Sequence, residues 1–210
     1  MARHRMIPPF LSEMVVSVLT LFDGVVFDDI HVYCGQCGDQ VRRHDIKRKR
    51  FAILLEYGQP RPLLVGVARY RCRGCGRLWY ADEPFYHKTR HGVPVVDLVI
   101  ALSQKYPYHR TAQILEGMGV LLDRGTVRAY ARAKERFPQS GFTEMYGFPV
   151  PYRIIALSEF IAQDRPVVGA ELLAALGLPA AERTSLSSFS PGKQKGDEEE
   201  QEEERISKDK

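Results

Sequence analysis

The sequence predicts an α+β protein in which a small β module with four cysteines precedes a three-helix unit and a further small helical unit. Three observations support this fold class. Two Cys-x-x-Cys-Gly motifs flank segments rich in branched and aromatic residues, apolar residues recur at helical spacing after residue 93, and the last 28 residues are strongly polar. We therefore expect an N-terminal helix in 1–30, the β module in 31–92, the three-helix unit in 93–138, the further helical unit in 139–182 and a disordered acidic tail in 183–210.

The charge distribution of the chain indicates a polyanionic partner. At 210 residues with a formal net charge of +4, the chain has room for one ordinary domain or a few small modules, and a large enzyme core is not expected. Between Val41 and Arg77 there are 11 Lys or Arg residues and only two acids, Asp45 and Glu56. Positive charge at this density attracts nucleic acid. We expect neither a membrane partner nor a small-molecule substrate.

The N-terminal segment predicts a buried helix over residues 8–22, with Pro8 or Pro9 in its first turn. Its apolar run from Met14 to Phe22 is too short to span a membrane, which needs about 20 apolar residues, and no small-residue cleavage site follows it. We therefore expect a cytoplasmic protein. The apolar positions at helical spacing are Leu11, Met14, Val15, Val18 and Phe22.

The segment between the two cysteine motifs predicts a β-hairpin. FAILLEY (51–57) and LLVGVARY (63–70) are rich in branched and aromatic residues, and the intervening GQPRP (58–62) is typical of a turn. A hairpin in this position brings the two cysteine motifs together at its open end.

The four cysteines predict a structural zinc site. Two Cys-x-x-Cys pairs in a reducing cytosol are more often metal ligands than disulfides, and zinc prefers four tetrahedral thiolate or imidazole ligands. Gly38 and Gly76 end the two motifs and allow the backbone to turn tightly around the sulfurs. We therefore interpret 31–92 as a zinc ribbon. Its predicted ligands are Cys34, Cys37, Cys72 and Cys75.

Two other metal sites remain open at this point. Cys72 and Cys75 together with His87 and His91 approach the spacing of a Cys2His2 zinc finger, although this leaves the first cysteine pair unused, and the histidines are otherwise ordinary surface residues. A rubredoxin-like iron site also uses paired Cys-x-x-Cys-Gly motifs. The basic surroundings disfavour iron, because electron carriers of that kind are typically acidic.

Three predicted helices follow, within 94–106, 110–118 and 123–136, and we interpret them as a helix-turn-helix unit. Asp123 is the predicted N-cap of the third helix, in which an arginine recurs every fourth residue opposite the apolar positions. This stripe is either a solvated face or a DNA-binding surface, and we favour DNA. The predicted contacts are Arg124, Gly125, Thr126 and Arg128 for base edges, Arg132 and Arg136 for phosphates, and Arg71, Arg73 and Arg77 from the ribbon. The ribbon arginines are also useful as counter-charges to the thiolates.

After residue 138 the sequence predicts two more helices, in RIIALSEFIAQ (153–163) and PVVGAELLAALG (166–177). This unit is either a second, degenerate helix-turn-helix or a packing and dimerisation unit, and a homo-oligomer is possible. The tail carries seven acids in residues 197–204 and almost no apolar side chain, so we expect disorder. Such a tail solubilises the chain, competes with nucleic acid for the basic surface or recruits another protein.

Three stretches, RYRCRGCGRLWY (69–80), KTRHGVPVVDLVIAL (88–102) and RTAQILEGMGVLLDRGTVRAYARA (110–133), resemble the N-terminal region of bacterial and archaeal insertion-sequence transposases. The resemblance covers about residues 30–136. It implies a zinc ribbon followed by a helix-turn-helix that together recognise the terminal repeats of a mobile element. The family's catalytic domain has a ribonuclease-H-like fold with three metal-binding carboxylates. Here the acids Glu144, Glu159, Asp164 and Glu171 are scattered and lack alternating strands to hold them, so we expect no enzyme.

These observations lead to one expected function. The sequence predicts a non-catalytic, zinc-dependent, sequence-specific binding protein for double-stranded DNA, either a transposase remnant or a transcriptional regulator. The alternative is a zinc-ribbon module that binds RNA or a protein complex, since the same knuckles and charges suit those partners.

Overall fold

A computed structural model describes residues 6–29, 33–138, 140–163 and 167–178 and confirms a mixed α+β fold. No helix in this part of the chain is long and apolar enough to cross a membrane. The elements, in chain order, are α1 (Pro9–Thr20), β1 (Val26–Phe27), β2 (Val41–Glu56), β3 (Gln59–Cys72), β4 (Leu78–Tyr80), α2 (Val93–Lys105), α3 (Tyr108–Gly117), α4 (Arg124–Arg132), a 3₁₀ turn (Lys134–Arg136), β5 (Phe142–Met145), β6 (Phe148–Pro151), α5 (Tyr152–Ile161) and α6 (Gly169–Ala175).

The β2–β3 hairpin dominates the larger sheet, in which β1 and β4 pair with the outer side of β3. Its turn is Tyr57–Gly58, and both residues have positive φ, at 49° and 76°. Two consecutive positive φ values are typical of the type I′ turn, which matches the twist of a hairpin. The tip of the hairpin therefore lies at the start of the predicted turn segment 58–62, most of which belongs to β3.

The prolines that indicated a turn are strand residues. Pro60 and Pro62 lie opposite Leu55 and Ile53 of β2. Proline is tolerated in a strand where its nitrogen faces away from the ladder. Leu64, two residues further along β3, shows this outward direction, because its N–H donates to Asp23 Oδ1 at 3.1 Å rather than to β2.

Within the described residues, a continuous hydrophobic core joins the N-terminal helix, the β2–β3 hairpin and both helical units. The rings of Phe22, just after α1, and Phe51 of β2 stack with centroids 4.3 Å apart. Helix α1 buries Leu11, Val15, Val18 and Leu19, and α2 is buried from Val93 through Leu102. Residues from β3, α3, α4, α5 and α6 belong to the same core. The cysteine-bearing hairpin is therefore packed against the helices that follow it.

The expectation of an entirely helical unit after residue 138 was wrong. Strands β5 and β6 form a short hairpin around Tyr146–Gly147, whose φ values are 51° and 80°. Pro149 and Pro151 lie in β6, because a two-stranded hairpin leaves positions where a proline nitrogen lies outside the ladder. Helix α6 lies within the predicted segment 166–177, and α5 lies within the predicted segment 153–163 except that it begins one residue earlier, at Tyr152. The acidic tail, 183–210, lies outside the described residues.

A buried ion pair fixes α5 against α2. Arg153 of α5 and Asp97 of α2 are 9 % and 5 % exposed, and Arg153 Nη1 donates to Asp97 Oδ2 at 2.9 Å. Tyr86 Oη donates to Asp97 Oδ1 at 2.7 Å. Burial raises the pKa of Asp97, although the hydrogen bonds from Tyr86 and Arg153 oppose this shift. Each polar group of this network thus has a partner, as buried charges require.

Candidate metal centre and nucleic-acid interface

The two cysteine motifs fold into matching backbone turns. The Cys34 N–H donates to Asp39 O at 2.7 Å, and the Cys72 N–H donates to Arg77 O at 2.9 Å, so each motif closes on the residue five positions later. Gly38 and Gly76 have φ values of 75° and 70°, which an L side chain rarely adopts. Each turn therefore needs its terminal glycine.

The β2–β3 ladder brings the two turns together at the open end of the hairpin, where Val41 pairs with Cys72. The four cysteines are free thiols, with Cys34 and Cys72 buried and Cys37 and Cys75 exposed. Their sulfurs all lie within 4.8 Å of one another. Cys34 Sγ is 3.7 Å from Cys75 Sγ, and Cys37 Sγ is 3.3 Å from Cys72 Sγ.

These distances fit a single metal ion. Four sulfurs at about 2.3 Å from a tetrahedral ion are about 3.8 Å apart, close to the observed separations, whereas a disulfide needs about 2.05 Å. Four cysteines complete a tetrahedral coordination sphere and leave no open position for substrate. The arrangement is therefore compatible with a structural metal ion.

Electrostatic interactions among the thiols favour a cation. Burial opposes ionisation of Cys34, but the amides of Gln36 and Cys37 favour its thiolate and lower its pKa to about 6. The Asp39 amide likewise favours the Cys37 thiolate, but the neighbouring sulfurs, first that of Cys72, raise the pKa of Cys37 to about 12. The cluster does not readily hold several negative charges alone, and a bound cation removes this restriction.

The alternative ligands His87 and His91 lie outside this cluster. Within the described residues, the group that could hold a metal consists of the four cysteines. His91 is 6 % exposed, and its Nδ1 is 2.8 Å from Tyr130 Oη of α4. Burial lowers the pKa of His91 to about 4, with a further contribution from the charge of Arg50. His91 is therefore a neutral residue of the helix interface, while His87 is exposed.

Two of the arginines beside the cysteine cluster contact its turns. Arg77 donates to Gln36 of the other turn, and its guanidinium lies 5.7 Å from the centre of the Trp79 ring. Arg71 Nε donates to Gly76 O at 3.3 Å. Both side chains remain exposed, as does that of Arg73. Arg77 therefore joins the two turns, Arg71 supports its own turn, and all three arginines present positive charge to solvent.

Helices α2, α3 and α4 pack against one another. The segment between α3 and α4 is held by the hairpin, because the Leu55 N–H donates to Gly119 O at 2.9 Å and the Leu121 N–H donates to Ile53 O at 2.8 Å. Gly119 has a φ of 83°. The position of α4 is thus fixed by backbone hydrogen bonds to β2 as well as by its neighbouring helices.

Helix α4 presents a row of arginines to solvent. Arg124, Arg128 and Arg132 are exposed, while Val127 and Tyr130 on the opposite face are buried. One turn of helix separates successive arginines by about 6 Å along the axis at about 1.5 Å per residue. The helix ends at Arg132, so the predicted fourth member of the row, Arg136, lies on the 3₁₀ turn and is also exposed.

The first turn of α4 is closed by its predicted cap. Asp123 Oδ1 accepts from the Thr126 N–H at 2.9 Å, and Asp123 Oδ2 accepts from the Thr126 hydroxyl at 2.5 Å. These two bonds lower the pKa of Asp123. A Cβ on Gly125 would lie 2.9 Å from Asp123 Oδ1. The small residue at 125 and the hydroxyl at 126 therefore serve the cap, which leaves the arginines as the freely projecting groups of this turn.

Two further arginines at this end of α4 were not predicted as site residues. Arg50 ends the basic half of β2, and Arg90 precedes His91; both are exposed. The Arg90 N–H donates to Tyr130 Oη at 3.2 Å. Arg50 belongs to the basic stretch between Val41 and Arg77, so the sequence did indicate that it could contact a polyanion. Nothing in the sequence indicated that Arg90 lies beside α4.

Comparisons with protein-family models, with curated proteins and with solved structures found no match to this chain.

Proposed function

We propose that this chain is a non-catalytic, zinc-stabilised protein that binds double-stranded DNA in a sequence-specific manner. The observation that carries the proposal is the exposed arginine row of α4, on a helix fixed by its neighbours and by β2. Like charges one turn apart repel each other and destabilise an isolated helix. A polyanion removes that repulsion, so the row is best explained as a binding surface.

Zinc is the metal that the cysteine cluster suits best. Thiolates are soft ligands, and a tetrahedral set of four is typical of zinc or of an iron–sulfur site. The surrounding arginines favour a structural zinc, because four thiolates around one divalent ion leave about two negative charges to neutralise. Cys34, Cys37, Cys72 and Cys75 would hold the ion, which joins the two ends of the hairpin. We infer no catalytic step, because this ligand set is closed.

Helices α2, α3 and α4 supply the proposed helix-turn-helix. In that arrangement the N-terminal part of the last helix enters the major groove and contacts base edges. Arg124 and Arg128 lie on the first turns of α4 and project freely, so we assign them to base edges. Arginine binds guanine through two parallel hydrogen bonds, which discriminates bases. Arg132 and Arg136 follow and contact phosphate.

The resemblance to transposase N-terminal regions supports the same proposal, since it covers the second cysteine motif (69–80), the segment 88–102 and the segment 110–133 that contains α4. It adds the expectation that the target is a short repeated site. Whether the chain is a transposase remnant or a regulator, the binding step is the same.

The test is selection from random duplex DNA, followed by titration of the selected sequence. We expect a selective wild-type protein, and we expect Arg124→Ala and Arg128→Ala each to relax preference at one position by about 1–3 kcal/mol. Arg61→Ala is the matched control, because Arg61 is ion-paired with Asp23 and Glu56 near the tip of the hairpin. Equal affinity for all duplexes, or tighter binding to RNA, would refute the proposal and favour the alternative zinc-ribbon module for RNA or a protein complex.

A further inference from the structure

The basic half of β2 leads to the N-terminus of α4. The hydrogen bonds from Leu55 to Gly119 and from Leu121 to Ile53 run β2 antiparallel to the segment that precedes α4. Because the two segments are antiparallel, the part of β2 that leads from Ile53 back to Arg50 runs alongside the direction from Leu121 to Asp123. The tip of the hairpin, at Tyr57, extends in the opposite direction. Arg50 thus lies within β2, on the part of the strand that is directed towards the N-terminus of α4.

Arg90 lies beside α4, in the loop before α2. Its N–H donates to Tyr130 Oη of α4 at 3.2 Å, and the neighbouring His91 contacts the same hydroxyl. Two residues later, the Gly92 N–H donates to Phe51 O of β2 at 2.8 Å. The backbone around Arg90 is therefore held between α4 and β2, and the side chain itself is exposed.

The causes that shift the pKa of His91, which contacts Tyr130, agree with this placement of the two arginines. Burial lowers the pKa of His91, and the positive charges of Arg50 and Arg90 add to this effect, whereas the carboxylate of Asp123 at the start of α4 opposes it. Both side chains thus lie close to one imidazole. Among the described residues, the ion pairs of the basic strands involve Lys49, Arg61 and Arg69, and neither Arg50 nor Arg90 is neutralised by a carboxylate.

We propose that Arg50 and Arg90 bind backbone phosphates of the same DNA duplex whose major groove α4 enters. The inference deepens the proposed function and rests on it. Residues beside the N-terminus of a helix in the groove face the sugar–phosphate walls, which lie about 12 Å apart. Contacts of this kind set the register of the helix on the duplex without reading sequence. Two fixed arginines on separate elements would hold α4 against rotation in the groove.

The test uses the full-length, zinc-loaded protein and the duplex selected by the wild type, titrated at several salt concentrations. Each phosphate contact contributes about 0.9 to the slope of log affinity against log salt. We expect Arg50→Gln and Arg90→Gln each to reduce the slope by about 0.9, to weaken all duplex sequences equally and to leave base preference unchanged. Arg50→Lys and Arg90→Lys keep the charge and should restore most of the slope.

The outcomes separate the two proposals. Arg61→Gln is the control that should keep the wild-type slope. If the wild type is selective and Arg128→Ala reduces that selectivity, but the Arg50 and Arg90 variants keep the full slope, the phosphate inference is overturned and the proposed function stands. If the wild type does not bind duplex DNA selectively, both are overturned. Circular dichroism of each variant checks that the fold is intact.

Discussion

Removal of the metal tests how the cysteine cluster contributes to the fold. We expect a chelator, or the substitution Cys34→Ser, to release the two cysteine turns while the core end of the hairpin stays folded. Ordering the first turn, residues 33–40, costs about 8–16 kcal/mol at about 1–2 kcal/mol per residue. Cys34 is the one buried residue of this segment, so packing offsets little of that cost. Zinc binding in small domains contributes about 10–16 kcal/mol, which is the size required.

Hydrogen exchange followed by mass spectrometry distinguishes the two ends of the hairpin. After chelation, the amides of Cys34 and Cys72 should lose protection, because their hydrogen bonds lie within the released turns. The amides of Leu55 and Leu121 should keep protection, because their hydrogen bonds join β2 to the helical unit and lie outside the cysteine turns. Gln36→Ala retains all four sulfurs and should retain the metal. Unchanged protection at the cysteine turns would refute the role of the metal, and loss of protection along the whole chain would refute the independence of the core end.

Three further predictions concern stability and charge. Burial lowers the pKa of His91 to about 4 from an ordinary value of 6.5, so its neutral form stabilises the fold above pH 6.5. We expect the free energy of unfolding, measured in urea, to fall by on the order of 3 kcal/mol between pH 6.5 and pH 4. His91→Gln should flatten this slope, whereas His87→Gln at an exposed position should not. Arg153→Met leaves Asp97 buried without its partner and should destabilise the protein by about 3–5 kcal/mol in the same assay, and a loss below about 1 kcal/mol would contradict the buried ion pair. Deletion of 183–210 should leave the Tm unchanged and, if the acidic tail competes for the arginine row, tighten DNA binding at low salt; weaker binding would contradict the competition.

Local patterns in the sequence were sufficient for several features of the site. The spacing of the cysteines predicted a cluster that the structure contains. Asp123 was recognisable as a cap because capping depends on a residue three positions away, and the structure shows that bond to Thr126. Helices α1 and α2 followed from apolar periodicity, because their buried faces are set by positions three and four residues apart.

The features that could not be predicted depend on contacts between distant residues. Asp97 gave no sign of a charge partner, because Arg153 is 56 residues away. The pairing of His91 with Tyr130 spans 39 residues, and without it His91 looked like a possible metal ligand. The β5–β6 hairpin was missed because each of its strands is only four residues long and β6 contains two prolines; its Tyr–Gly turn is of the same kind as that of the β2–β3 hairpin.

The free side of β2 has a consequence for how copies of the protein behave towards one another. Among the described residues, β2 is the outer strand of its sheet, so the backbone groups on one side of residues 41–50 remain available for pairing. Exposed strand edges of this kind recruit further strands and lead to aggregation, unless charged side chains prevent a second strand from approaching. The exposed basic side chains of Arg42, Arg43, Lys47, Arg48 and Arg50 would meet like charges in any such pairing. The charge that attracts a polyanion therefore also keeps separate molecules from joining edge to edge.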